Sequence, residues 1–220
     1  DTQAHKNYFV KTFKVAEEKI FILPVGVDTK DFYSKKVEQN KVFKVGFYGS
    51  FLPLQGIDNI IKAANLLKEE NIDWEIIGDG FEFNRVQKLV NKFNLDRVNL
   101  AGRFHYSQLN DAINTFDICL GIFGTSIKTE LVVPNKVYHY AACGKSIITK
   151  DTPAIREIFA HDETAVLVNG SAESIASAIM VLKQDHIKRE QLGKKAKELM
   201  LTQYDTLNIA EAFLKATINL

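Results

Sequence analysis

From residue 44 onward the chain alternates between two hydrophobic patterns. KVGFYGS (44–50) is apolar nearly throughout and ends on glycine, and IDNIIKAANLLKEE (57–70) then places apolar residues at helical spacing. The pair recurs. WEIIGDG (74–80) precedes a predicted helix over 82–93, VNLAG (98–102) one near 107–115, and DICLGIF (117–123) a polar loop and a helix near 135–143. SIIT (146–149), a short helix over 154–159, AVLV (165–168) and helices over 172–183 and 187–201 complete the series. Before it, an amphipathic lead-in runs into IFILPVGVD (20–28), read as an extended apolar run closed by a glycine turn, and a polar looped connector spans 35–41.

Strands that are apolar throughout, each followed by a helix, belong in a parallel sheet covered on both faces. The predicted fold class is therefore α/β, a Rossmann-like doubly wound parallel sheet. Ligands of such sheets bind beyond the carboxyl ends of the strands, so chemistry is sought in the segments that close them.

Three segments qualify. GSFLPLQGID (49–58) joins the first strand to a helix, where free N–H groups and the positive end of the helix dipole suit phosphate; glycine is equally expected there for steric reasons. Its spacing matches neither G-x-G-x-x-G nor the P-loop, which argues against a dinucleotide or a Mg-nucleotide. IIGDG (76–80) could orient a ligand through Asp79 or could be a plain turn. The long segment 121–157 is the most informative. Pro134-Asn135-Lys136 opens a helix whose N-terminus is expected to form a second phosphate site opposite the first, His139 lies one turn inside it, and Gly144 ends it.

Composition narrows the partners. Lysine and arginine number 28 against 27 acids, a formal net charge of +1, so no electrostatic footprint for nucleic acid is present. Cys119 and Cys143 have no cysteine or histidine at metal-ligand spacing, which predicts reduced core thiols, a cytoplasmic protein and no bound metal. No stretch approaches 18 apolar residues, and the start, which lacks both methionine and a signal-peptide core, fits a piece of a longer protein. No Ser/His/Asp set or carboxylate pair assembles, so the catalytic residues are unassigned. The residues alone reach an α/β domain that binds a phosphorylated small ligand.

PNKVYHYAACGKSIIT (134–149) resembles the donor-binding signature P-N-K-V-Y-E-x-x-A-x-G-K-P-V-I-T of retaining glycosyltransferase family four, the glycosyl transferases group 1, which includes sucrose and glycogen synthases. The likeness extends in order through ILPVGVDTKDF (22–32), GFYGSFLPLQGIDNIIKAA (46–64), IIGDG and DTPAIREIF (151–159), covering nearly the whole chain. It implies the C-terminal half of a GT-B enzyme: residues 1–40 as linker and lead-in, 41–204 as the nucleotide-sugar domain, and 205–220 as a terminal helix packing toward an N-terminal acceptor domain outside this sequence. It implies, further, a nucleotide-diphosphate sugar as substrate, polysaccharide or glycoconjugate biosynthesis as the setting, no cofactor or metal, no activity without the acceptor domain, and membrane contact at the inner face only through that domain. By the same resemblance Gly49, Ser50, Gln55, Asn135, Lys136 and Val137 surround the diphosphate, with Asp79 at the second strand end. Arg103, Phe104 and His105 flank the base, Gly124 and Thr125 border the sugar, and His139 faces the ribose.

The chain also departs from the family. Two glutamates eight positions apart are replaced by Leu131 and His139, with Glu130 adjacent, and the first loop carries Ser50 and Gln55 where Arg and Lys are common. Each charge-assisted hydrogen bond so lost is worth roughly 1.5–3 kcal/mol, unless Lys128 or Lys136 takes over. Two alternatives stand beside the transferase: a catalytically degenerate nucleotide- or partner-binding homologue, and a GT-B sugar-nucleotide epimerase.

Overall fold

The computed structural model describes residues 1–38 and 40–218. Six strands, β1 (Phe43–Tyr48), β2 (Ile72–Ile77), β3 (Val98–Gly102), β4 (Ile118–Leu120), β5 (Ser146–Lys150) and β6 (Val166–Val168), form one sheet in the order β3-β2-β1-β4-β5-β6. All pairings are parallel. The chain leaves β1 in one direction and returns on its other side at β4, so the topological switch point lies between those two strands.

Ten α-helices accompany the sheet among the described residues: α1 (Gln3–Phe13), α2 (Ile57–Leu66), α3 (Phe83–Phe93), α4 (Tyr106–Asn114), α5 (Ile127–Leu131), α6 (Asn135–Ala142), α7 (Pro153–Arg156), α8 (Ala172–Gln184), α9 (His186–Leu199) and α10 (Thr206–Ile218). Because successive strand residues point to opposite faces, each strand feeds two cores. Val45, Phe47, Ile76, Leu120 and Ile148 meet Ile57, Ile60 and Ile61 of α2 and Ile175 and Ile179 of α8 on one face. Ile77, Cys119 and Ile147 meet Val137 and Tyr138 of α6, Ile155 of α7 and Ala196 of α9 on the other. Gly46 is required by that second core: a Cβ there would lie 2.0 Å from the Phe116 ring. Both cysteine thiols are free and buried, and burial pushes that of Cys143 up to about 12.

Several segments differ from the pattern-based expectation. Residues 20–28 form no strand; only Val27 makes a bridge, to Asp205, and Phe21, Leu23 and Val25 are exposed. The loop after β4 contains α5, because Ser126 precedes a turn closed by the Thr129 N–H to Ser126 O bond of 2.9 Å, with the Thr129 side chain buried beneath it. The last predicted helix starts at His186 and runs through Leu199 into a π-helical turn, Met200–Tyr204.

The lead-in is a docked helix. Thr2 caps α1 and donates its hydroxyl to Leu131 O at 2.6 Å, and the Glu157 carboxylate accepts from the Gln3 and Ala4 N–H groups at 2.6 and 2.8 Å. Residues 33–35, which lead into the connector, are held by the side chains of Asn110 and Asn114 and by Cys143 O, while Gln39 lies outside the described residues. In the predicted terminal helix, Phe213 and Leu214 of α10 are 41% and 56% exposed; residues 219 and 220 lie outside the described residues.

Candidate functional site

The carboxyl ends of β1 and β4 open into a cleft of about 400 Å³ lined by Tyr48, Gly49, Ser50, Leu54, Gln55, Lys128, Asn135 and Lys136, with Asp1 and Val25 at its mouth. A second hollow of about 310 Å³ shares Tyr48, Gly49 and Ser50 with it and continues past Gly78 and Asp79 to Arg103 and Phe104. The two make one trough across the strand ends at the switch point, as the doubly wound topology requires of a ligand site.

Lys136 dominates the first part. It is only 4% exposed, yet among the described residues it has no carboxylate partner. Its ammonium donates to Gln55 Oε1 and lies 3.6 Å from the centre of the Phe47 ring. Burial without a counter-charge holds its pKa well below that of a free lysine. Pro134 caps the N-terminus of α6 without a side-chain bond, and the first acceptor inside the turn goes to Val137 N, leaving the Asn135 and Lys136 N–H groups as terminal donors. On the opposite wall the Ser50 N–H also has no acceptor among the described residues.

The rest of the first loop corrects the sequence expectation. Its N–H groups are used internally: Gly49 N bonds Ile77 O, Phe51 N bonds Asp79 O and Leu52 N bonds Ser50 O, at 2.9–3.0 Å. The start of α2 is covered as well, since Gly56 packs against the backbone of Phe123 and Gly124 and a Cβ there would fall 2.4 Å from Phe123 C. One helix end, that of α6, therefore faces the trough instead of two opposed ones.

The remaining singled-out residues divide. Asp79 accepts from Gly80 N at 2.7 Å and lies 3.5 Å from Arg103 Nε, so this exposed pair rims the second hollow beside Phe104. His105 is the exposed N-cap of α4, its N–H bonded to Gln108 Oε1 at 2.9 Å, and lines neither hollow. Val137 is core. Gly124 is wedged under Leu54 O, and Thr125 lines a different hollow with Lys150 and Asn169. Glu130 is engaged by Lys150 at 2.7 Å, and Leu131 gives its carbonyl to Thr2.

His139 is buried behind the trough wall. Its ring stacks on Phe32 at 3.7 Å between centroids, and Nδ1 is 2.5 Å from Tyr48 Oη. Desolvation lowers its pKa to about 4, so the imidazole is neutral at ordinary pH. Tyr48, which sequence reasoning did not single out, thus presents the hydroxyl that His139 orients; its place as the last residue of β1, directly before Gly49, was the available signal. Asp1 and Val25 could not have been read from local pattern, because the fold of the lead-in brings them to the mouth.

A donor-lined trough at the switch point of a 3-2-1-4-5-6 sheet defines an α/β domain suited to an acceptor-rich anionic ligand. The model of the glycosyl transferases group 1 family matches residues 28–199, and the chain belongs to that family. It is 33% identical over 107 residues to the Pseudomonas aeruginosa protein named Probable glycosyltransferase WbjE, covering 46% of this chain and 25% of that one. It is 26% identical over 180 residues to the Rhizobium meliloti lipopolysaccharide core biosynthesis glycosyltransferase LpsD, covering 78% of this chain and 48% of that one. The chain thus spans between a quarter and a half of the length of these two relatives. Among solved structures, Anabaena Alr3699/HepE in complex with UDP and glucose superposes with a TM-score of 0.88 at 16% identity, over 100% of this chain and 62% of that one. The C-terminal domain of the group 1 glycosyl transferase LpcC from Francisella tularensis gives 0.71 at 21% identity, over 82% of this chain and all of that one. At these identities the structures establish the GT-B-type fold. Among the described residues no helix is long and apolar enough to cross a membrane, and no group of three or more potential metal ligands occurs.

Proposed function

We propose that this chain is the donor-binding part of a retaining glycosyltransferase that takes a nucleotide-diphosphate sugar and passes the glycosyl group to an acceptor held by an upstream domain. The observation that carries this reading is Lys136: a buried lysine without a carboxylate partner among the described residues, beside the free N–H groups of α6, on a trough that runs on to Arg103 and Phe104. Burial disfavours the charge of this lysine and an anion beside it favours the charge again, and a diphosphate offers the most acceptors for these donors. The base end then lies toward Phe104 and Arg103. Tyr48 lies between the two ends. As the glycosyl–phosphate bond breaks, charge grows on the leaving diphosphate, and Lys136 with the α6 N-terminus offsets it without a metal. Glycoconjugate or polysaccharide assembly is the setting that the name of one relative, the lipopolysaccharide core glycosyltransferase, supports.

Isothermal titration with UDP, GDP and their sugar conjugates, repeated with Lys136→Ala and His139→Ala, tests the reading. One nucleotide binding to the native chain and weakened at least tenfold by Lys136→Ala supports it; binding indifferent to that substitution moves the site elsewhere.

A second reading, a degenerate homologue that binds nucleotide without transfer, is favoured by the neutral Ser50, Gln55, Leu131 and His139. Titration with intact donor followed by product analysis, in the chain joined to its upstream half, separates the two.

A further inference from the structure

Residues 20–25 stand outside the six-stranded sheet, yet they carry the marks of a strand. Ile20 is extended, at φ −117° and ψ 109°. Exposure then alternates: Phe21, Leu23 and Val25 are 56%, 41% and 41% exposed, while Ile20, Ile22 and Pro24 are half-buried. The N–H and C=O groups of Phe21, Ile22 and Leu23 have no hydrogen-bond partner among the described residues. An apolar extended run with a free backbone edge is a template for strand pairing.

Two helices stand beside it with apolar surface left over. Between α1 and the run lies a hollow of about 400 Å³ lined by Phe9, Val15, Ile20, Phe21 and Ile22. None of the residues of α1 is fully buried, and Phe13 is 59% exposed. From α10, the Phe213 ring meets that of Phe21 edge-on at 6.0 Å. Helices packed about a single unpaired strand make an α/β layer that lacks the rest of its sheet. Directly after the run the chain passes a waist. Gly26 takes φ +67°, and a Cβ there would lie 2.2 Å from Ile209 Cδ1. Val27 N bonds Tyr204 O at 2.9 Å and Thr206 N bonds Val27 O at 3.0 Å, so the two crossings of the chain are tied together. Phe32 already belongs to the core of the six-stranded sheet.

We infer that residues 20–25 are the edge strand of a second sheet, and that the partner which fits this edge is an apolar strand from the part of the protein upstream of Asp1, paired in parallel. The division between the two units then falls at Gly26 instead of after residue 40, and α1 belongs with the upstream unit. Parallel pairing follows from the order of elements, because a strand that follows its own helix returns beside the strand before that helix by a right-handed crossover. The relatives have chain to supply it: the matched part is 62% of the HepE chain, 48% of LpsD and 25% of WbjE.

Hydrogen exchange of the 220-residue chain, and of the same chain joined to its upstream part, tests the pairing. In the 220-residue chain the amides of Phe21, Ile22 and Leu23 are expected to exchange without protection. In the joined protein, alternate ones should slow by about hundredfold or more, either Ile22 or the pair Phe21 and Leu23, since successive N–H groups of an edge strand point to opposite sides. Ile22→Pro and Leu23→Pro each remove one N–H. One of the two is expected to lower the melting temperature of the joined protein, and neither that of the 220-residue chain. Unprotected amides throughout the joined protein would overturn the strand. Protection in the 220-residue chain that grows with concentration, alongside a dimer in light scattering, would give the edge to a second copy and overturn the upstream partner. A loss of stability from both prolines in the 220-residue chain alone would mean that the backbone serves within this domain, and would overturn the pairing as well.

Discussion

Tyr48 Oη and His139 Nδ1 are 2.5 Å apart, and their rings lie nearly parallel at 12°, so a strand end and a helix interior are joined directly beneath the trough floor. Phe32 closes the other side of the imidazole. The pair fastens the trough-lining Tyr48 to a ring that cannot readily ionise.

That arrangement sets a pH dependence. The folded-state pKa of His139, about 4, lies below the ordinary 6.5, so the unfolded chain takes the proton first. The stability contribution is complete above pH 6.5 and is lost as pH falls toward 4, in total about 3 kcal/mol at 1.36 kcal/mol per unit. Urea unfolding at pH 7, 5.5 and 4.5 is expected to give a shallower acid loss for His139→Gln than for the native protein. Parallel losses would refute the assignment.

Lys136 should trade stability for binding. An unpaired buried ammonium is destabilising, and Lys136→Met keeps the stem that covers Phe47 while removing the charge. The variant is expected to be about 1–2 kcal/mol more stable than native without ligand, and to lose the nucleotide-induced rise in melting temperature. Scanning calorimetry with and without UDP or GDP measures both.

Binding should also take up protons. Since burial depresses the Lys136 pKa and an anion favours the charged form, binding above the depressed value draws a proton from the buffer. Titration in buffers of different ionisation enthalpy is expected to give different apparent enthalpies for the native chain; equal ones would mean that no proton is taken up.

Gly49→Ala places a methyl group 2.6 Å from Lys136 Nζ. The ammonium ends a flexible stem and can move aside, so affinity for a nucleoside diphosphate should fall about tenfold as its contact is lost, while the φ of +156° at Gly49, which a side chain rarely adopts, adds a loss of stability. Unchanged affinity per folded molecule would contradict this.

Glu157 ties the lead-in to the domain through the Gln3 and Ala4 N–H groups. Glu157→Ala is expected to cost about 1 kcal/mol of local stability. Hydrogen exchange should accelerate in α1 and leave β1 unaffected; uniform acceleration would mean that α1 and the sheet open together.

The sheet and most of its helices were legible because their signal is local. Val45 and Phe47, or Ile57, Ile60 and Ile61, announce a strand or a helix through spacing alone, and apolar strands alternating with helices leave few ways to cover both faces of a sheet. The order of the segments around Gly49, Asp79 and Pro134 likewise located the strand ends where the trough opens. Pattern could not decide which groups share a point in space. The meeting of Lys136 with Gln55, the burial of His139 between Phe32 and Tyr48, and the use of the first loop's N–H groups by Ile77 and Asp79 all join residues distant in sequence. Those contacts depend on how helices settle on the sheet, and they turned a histidine expected to face the ligand into a neutral support behind a tyrosine.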